Sequence, residues 1–122
     1  MNVKTLKKML RQICDAGYAE WIPRFYPPDG GHYSINHIYI DDDGDICLQS
    51  SDYDDDPYQY TVWNILKRLN THYPKSYVYL EEEYDDESTD AWDIEFNWYT
   101  DTYTDDDGDE VEELYIDCCE MD

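Results

Sequence analysis

After Lys75 the chain has no lysine and no arginine. The 47 residues from Ser76 to the C-terminus hold 20 of the 31 acidic residues and none of the eight basic ones, so nearly all of the net charge of −23 belongs to the C-terminal part. A small domain selected only for solubility carries about 2–8 net charges, and self-repulsion on the present scale works against a compact state. The imbalance points to a basic partner. It argues against direct nucleic-acid binding, which needs a Lys/Arg surface, and against docking on an anionic membrane.

Other absences narrow the class further. No stretch approaches the length of an apolar membrane span, and MNVKTLKKML lacks the apolar core and small-residue cleavage site of a secretory signal. The four cysteines, Cys14, Cys47, Cys118 and Cys119, form no C-x-x-C pair, so reduced thiols in the cytoplasm are expected. There is no G-x-S-x-G, no H-E-x-x-H and no glycine-rich phosphate loop, and the histidines are His32, His37 and His72 alone. Neither catalysis nor a cofactor is expected. Carboxylates are too abundant to single out an acid–base pair, which needs a carboxyl of raised pKa in an apolar pocket. Nor do the acidic turns fit a calcium loop, which needs Gly at position 6 and Glu at 12. Counted from Asp41, Gly44 falls at 4 and Asp52 at 12; counted from Asp105, position 6 is Glu110. No metal site is expected.

What is present can fold. With 41% hydrophobic and 16% aromatic residues the chain differs from disordered acidic tails, and its 122 residues suit one domain spanning 1–122. Asn2 to Ala16 reads as an amphipathic helix with Val3, Leu6, Met9, Leu10 and Ile13 on one face and Lys4, Lys7, Lys8 and Arg11 on the other, ended by Gly17. That basic face reads first as a solvated helix surface that offsets part of the acidic charge. Tyr18 to Tyr33, punctuated by Pro23, Pro27, Pro28, Gly30 and Gly31, reads as an ordered loop whose Trp21, Phe25 and Tyr26 dock on the core or anchor a partner.

Ser34 to Ser50 reads as a hairpin, with Ile38 and Ile40 facing Ile46 and Leu48 across a turn at Asp43-Gly44. After a second acidic loop, Ser51 to Asp56, the pair Asp56-Pro57 looks like a helix cap and first turn. That helix would run to about His72 with Tyr58, Val62, Ile65, Leu66 and Leu69 inward, and stop before Pro74. Ser76 to Tyr84 alternates as a strand: Val78 and Leu80 one way; Tyr77, Tyr79, Glu81 and Glu83 the other.

The most telling stretch runs from Thr89 to Asp117. Trp92, Ile94, Phe96 and Trp98 alternate with Asp93, Glu95, Asn97, Tyr99 and Asp101. Beyond a turn at Asp107-Gly108 the chain returns with Leu114, Ile116 and Cys118 inward and Glu113, Tyr115 and Asp117 outward. The expected fold is α+β, in the order α-β-β-α-β-β-β: a mainly antiparallel sheet of about five strands, two amphipathic helices on one face and the other face open to solvent.

Same-face residues on a strand are about 6.6–6.8 Å apart, so the open face would carry a fixed row of negative charge interleaved with aromatic rings. The expected partner-binding residues are Glu81, Glu83, Asp85, Asp86, Asp93, Glu95, Tyr99, Asp101, Asp105, Asp106, Asp107, Asp109, Glu110 and Glu113. A small, strongly acidic domain with aromatic-rich strands and clustered DDDGD turns resembles the phage and mobile-element inhibitors that act as DNA mimics, of the anti-CRISPR and anti-restriction type. The resemblance implies a partner that is a basic nucleic-acid-binding protein, namely a defence nuclease such as a Cas effector or a restriction enzyme, whose DNA-gripping groove is occupied. A plainer reading is an acidic adaptor or regulator of another basic protein, without mimicry. A homodimer, in which two acidic rows together imitate a duplex, fits the same pattern.

Overall fold

In the computed structural model, which describes residues 1–51, 59–70, 75–84 and 86–121, the first helix, α1 (Val3–Ile13), buries Val3, Leu6, Met9, Leu10 and Ile13. Asn2 caps it, its side-chain oxygen accepting the Thr5 N–H at 2.8 Å. The chain then widens into a π-type turn over Cys14–Tyr18, and Gly17, at φ 100°, breaks the helical run. The second helix, α2 (Val62–Leu69), starts later than Asp56-Pro57 suggests. Thr61 is its cap, accepting the Asn64 N–H, and Gln59 and Tyr60 are not helical. The expected cap at Asp56-Pro57, the inward Tyr58 and the stop at His72–Pro74 lie outside the described residues.

The sheet differs from the expectation in size and sense. It has six strands in the order β1-β6-β5-β4-β3-β2, namely β1 (Pro23–Tyr26), β2 (His37–Ile40), β3 (Ile46–Ser51), β4 (Val78–Glu83), β5 (Thr89–Thr104) and β6 (Glu110–Glu120). The additional strand, β1, comes from the stretch expected to be a loop. Pro23 is tolerated there because β1 lies at the sheet edge. The sheet is mixed, with β1–β6 and β3–β4 parallel and the other pairs antiparallel. Parallel pairing of β3 with β4 follows from α2 between them, since a helical crossover returns the chain to the end it left. The β2–β3 hairpin has the expected register, Ile38 opposite Leu48 and Ile40 opposite Ile46.

One core lies between the helices and the inner sheet face, where Ile46, Leu48, Val78, Leu80, Ile94, Leu114 and Ile116 meet α1 and α2. The sheet curls around it. Tyr33 pairs with Phe25 outside β1, yet the Asn36 N–H already bonds Gln49 O on β3 at the opposite side. In a flat sheet those positions would be six inter-strand gaps, about 29 Å, apart, whereas three residues reach about 11 Å at most. Ile35, on this short crossing, is buried in the core, and its carbonyl accepts the Tyr60 N–H ahead of α2. The crossing therefore passes on the helix side and leaves the open face convex.

Two departures shape the longest strands. Ile94 faces Cys118 and Trp98 faces Ile116, so Glu95, Phe96 and Asn97 together stand opposite Asp117. Two extra residues preserve the inward direction of Ile94 and Trp98. They also take Phe96 out of the core, correcting its expected place: it is 45% exposed. In addition, β4 pairs with β5 only as far as Asp93, and β1 pairs with β6 only from Leu114 onward. From Asp101 to Glu113 the β5–β6 ribbon pairs only with itself and forms an arm. Among the described residues no helix is long and apolar enough to cross a membrane.

Candidate protein-binding face

Strand alternation sets the convex face. The registers put Arg24 and Tyr26 of β1, Glu113, Tyr115 and Asp117 of β6, Asp93, Tyr99, Asp101 and Tyr103 of β5, Tyr79, Glu81 and Glu83 of β4, and Tyr39 of β2 on one side. Of the expected binding residues, Glu81, Glu83, Asp93, Tyr99, Asp101 and Glu113 are thus brought together. Glu95 is exposed in the bulge, and Asp86 is exposed in the turn between β4 and β5. Asp105, Asp106, Asp107 and Asp109 form the tip of the arm. Glu110, paired with Thr104, belongs to the arm's opposite side, and Asp85 lies outside the described residues.

The carboxylates of this face are held chiefly by neutral donors. Tyr39 Oη and Gln49 Nε2 both donate to Glu81 Oε1, at 2.9 and 2.8 Å. Ser51 Oγ donates to Glu83 at 2.9 Å, and Tyr79 Oη donates to Asp41 at 2.9 Å. Asn97 Nδ2 reaches Asp117 at 2.7 Å from the bulge. Tyr103 and Tyr115 donate to the two oxygens of Glu113 at 3.2 and 3.3 Å. A phenol or amide fixes a carboxylate without cancelling its charge, as an arginine would. Cationic contacts are looser: Met1 N-terminal ammonium to Asp93 at 3.9 Å and Arg24 Nε to Glu113 at 3.7 Å.

The surroundings of five of these tyrosines favour the neutral, donating phenol. Burial, then hydrogen bonding and the negative charge around them, raises the pKa of Tyr39 and Tyr79; burial, then the charge of Asp117 or Glu113, raises those of Tyr99, Tyr103 and Tyr115. Tyr115 is 8% exposed, stacked on Tyr99 with ring centroids 5.4 Å apart and met edge-on by His32 at 5.2 Å. Arg24, His32, Tyr103, Glu113 and Tyr115 line a shallow cleft of about 420 Å³. Beneath Tyr39 and Tyr79 the Cys47 thiol is buried, which pushes its pKa up to about 11. Cys14, Cys47, Cys118 and Cys119 are all thiols and form no disulfide.

The carboxylates of Asp41, Asp43 and Asp45 converge within 4.8 Å. The turn itself explains this, because Asp41 Oδ1 accepts the N–H groups of Asp43 and Asp45, both at 2.9 Å, and its Oδ2 accepts from Tyr79. Sequence reasoning missed Glu82, which points into the molecule. Its parity with Val78 and Leu80 was the available signal, hidden within an acidic run.

Comparison with protein-family models, curated proteins and solved structures gave no match.

Proposed function

We propose that this protein is a DNA-mimic inhibitor whose convex acidic face and β5–β6 arm occupy the basic nucleic-acid-binding groove of a defence nuclease, a Cas effector or a restriction enzyme, in the cytoplasm. The supporting observation is the row of carboxylates on regular strands, of which Glu81, Glu83, Glu113 and Asp117 are oriented by tyrosine, glutamine, serine or asparagine donors. The charge is fixed in space and left largely uncancelled, so little ordering entropy is lost when a partner binds. Convexity suits a groove, and the arm carries acids on both sides. The role is one of binding and involves no catalysis.

The test is affinity capture of the tagged protein from host cells at low and high salt, with duplex DNA as competitor, beside a variant carrying Glu83→Gln, Glu95→Gln, Asp101→Asn, Asp106→Asn and Asp107→Asn. A DNA-binding nuclease retained at low salt, displaced by DNA and lost by the variant is the expected result. Capture unaffected by DNA and by the substitutions would place the interface elsewhere. Phe96 favours a second reading. An exposed ring beside Glu95 offers an apolar contact that DNA lacks, and so suits an adaptor that binds a basic protein without mimicry. A partner lost on Phe96→Ser and indifferent to DNA would establish that reading instead.

A further inference from the structure

Glu82 is 1% exposed, on the inner face of β4 beyond Leu80. Its Oε2 lies 2.8 Å from Tyr84 Oη, and the same phenol oxygen lies 2.9 Å from Asp90 Oδ2. From the crossing segment between β1 and β2, Tyr33 and Asp29 also face Glu82, and Tyr33 Oη bonds Asp29 Oδ2 at 3.2 Å. Asp29 is held in turn by the Gly31 N–H at 2.8 Å. Glu82 Oε1 is buried without a hydrogen-bond partner. The ion pairs Met1–Asp93 and Arg24–Glu113 both lie elsewhere.

Counting protons decides the state of this cluster. Tyr84 has one phenolic proton and two carboxylate oxygens within reach. If both carboxylates were ionised, one contact would set a lone pair against a negative oxygen. The contact becomes a hydrogen bond when one carboxyl is protonated and donates to the phenol oxygen, which donates onward to the other. Asp90 is exposed and solvated; Glu82 is not, and a dehydrated carboxylate without a cation is the costlier ion. The unpartnered Oε1 fits as well, since it then belongs to a neutral acid and does not share a buried charge.

We propose that Glu82 carries a proton in the folded protein and acts as a pH-sensitive latch, fastening the Asp29–Tyr33 segment to strands β4 and β5. Burial pushes its carboxyl above the ordinary 4.5, the charge of nearby Asp29 adds to this, and the Tyr84 hydrogen bond offsets part of it. In the unfolded chain Glu82 ionises near that ordinary value. The folded protein thus loses stability as pH rises above it, until the folded carboxyl itself titrates. Once ionised, Glu82 repels Asp29 and Asp90, and the crossing segment loosens. This device is independent of the binding role.

The test is a ¹³C NMR titration of the glutamate side-chain carboxyls in the wild-type protein, together with melting curves of wild type and Glu82→Gln, whose amide can donate where the acid proton does. One carboxyl should keep its neutral-acid shift above the pH at which the others ionise, and its signal should be missing from Glu82→Gln. The Tm advantage of the variant should widen by about 4 °C per pH unit over the same interval. Full ionisation of Glu82 with the other glutamates would overturn the proposal, and the wild-type titration alone decides this if the variant does not fold. A millimolar Ca²⁺ or Mg²⁺ effect on the Tm of wild type and not of Glu82→Gln would also overturn it, because a cation and not a proton would then neutralise the cluster.

Discussion

Asp41 and Asp105 hold the same place in two copies of one turn. Asp41 Oδ1 accepts the N–H groups of Asp43 and Asp45 at 2.9 Å each, and Asp105 Oδ1 accepts those of Asp107 and Asp109 at 3.0 and 2.9 Å. Gly44 and Gly108 follow with φ 84° and 83°. The pentapeptide DDDGD thus sets its own geometry. The surroundings differ: Tyr79 ties the first turn to the sheet, whereas the second caps an arm that pairs only with itself.

Gly44→Ala and Gly108→Ala should separate those surroundings. An added Cβ meets open space at both, so the cost is backbone strain, about 1–2 kcal/mol for an L residue at this φ. In urea unfolding Gly44→Ala should lose that amount. Gly108→Ala should lose less, because the arm can open locally without the core, while amide exchange from Thr102 to Val111 speeds up. Equal losses would mean that the arm unfolds only with the whole domain.

Asp41 should make the fold acid-sensitive. Burial by itself would raise its carboxyl, but hydrogen bonds from the Asp45 backbone, Tyr79 and the Asp43 and Gly44 backbones outweigh it and hold the pKa below 3.8. The stability contributed by the ionised group is present above the unfolded value and is lost as pH falls through the folded one. Denaturation between pH 5 and pH 3 should therefore show a smaller loss in Asp41→Asn than in wild type. Parallel losses would count against this role for Asp41.

Much of the fold was legible because short-range periodicity is physical: Val78, Leu80, Ile94, Leu114 and Ile116 point inward as their spacing requires. What escaped depends on partners distant in sequence. Pro23 and the nearby glycines hide β1, which is a strand only because β6 accepts it at the edge. Nothing local announces that β3 and β4 lie side by side, and Glu82 is buried by a segment that crosses from far upstream. Of the candidate binding residues, Glu81, Glu83, Asp93, Tyr99, Asp101 and Glu113 could be assigned to one face by parity, whereas Glu95 in the bulge and the orienting donors on β2 and β3 needed the register.

Phe96 marks the point where alternation fails, and substitution should show it. Ile94 is 4% exposed and Phe96 45%, so Ile94→Ala should cost about 2–5 kcal/mol by opening a cavity, while Phe96→Ser should change stability by about 0.5 kcal/mol or less. Chemical denaturation measures both. A loss at Phe96 as large as that at Ile94 would mean the ring is buried in solution.

Salt should act on the fold and on the complex in opposite directions. The net charge of −23 repels itself most along the arm, where the stretch from Asp101 to Glu113 holds eight acids and no lysine or arginine of its own, with Arg24 reaching Glu113 at 3.7 Å from β1. Screening over about 10 Å at 0.1 M and about 3 Å at 1 M shortens that repulsion, so Tm should rise with added sodium chloride. The same screening weakens attraction to a basic groove, so Kd for the partner should rise over the same range. In the amide variant of the convex face both slopes should flatten together, since the same carboxylates cause both. A complex that salt leaves unchanged while the fold gains stability would assign the charge to solubility and the contact to apolar groups such as Phe96.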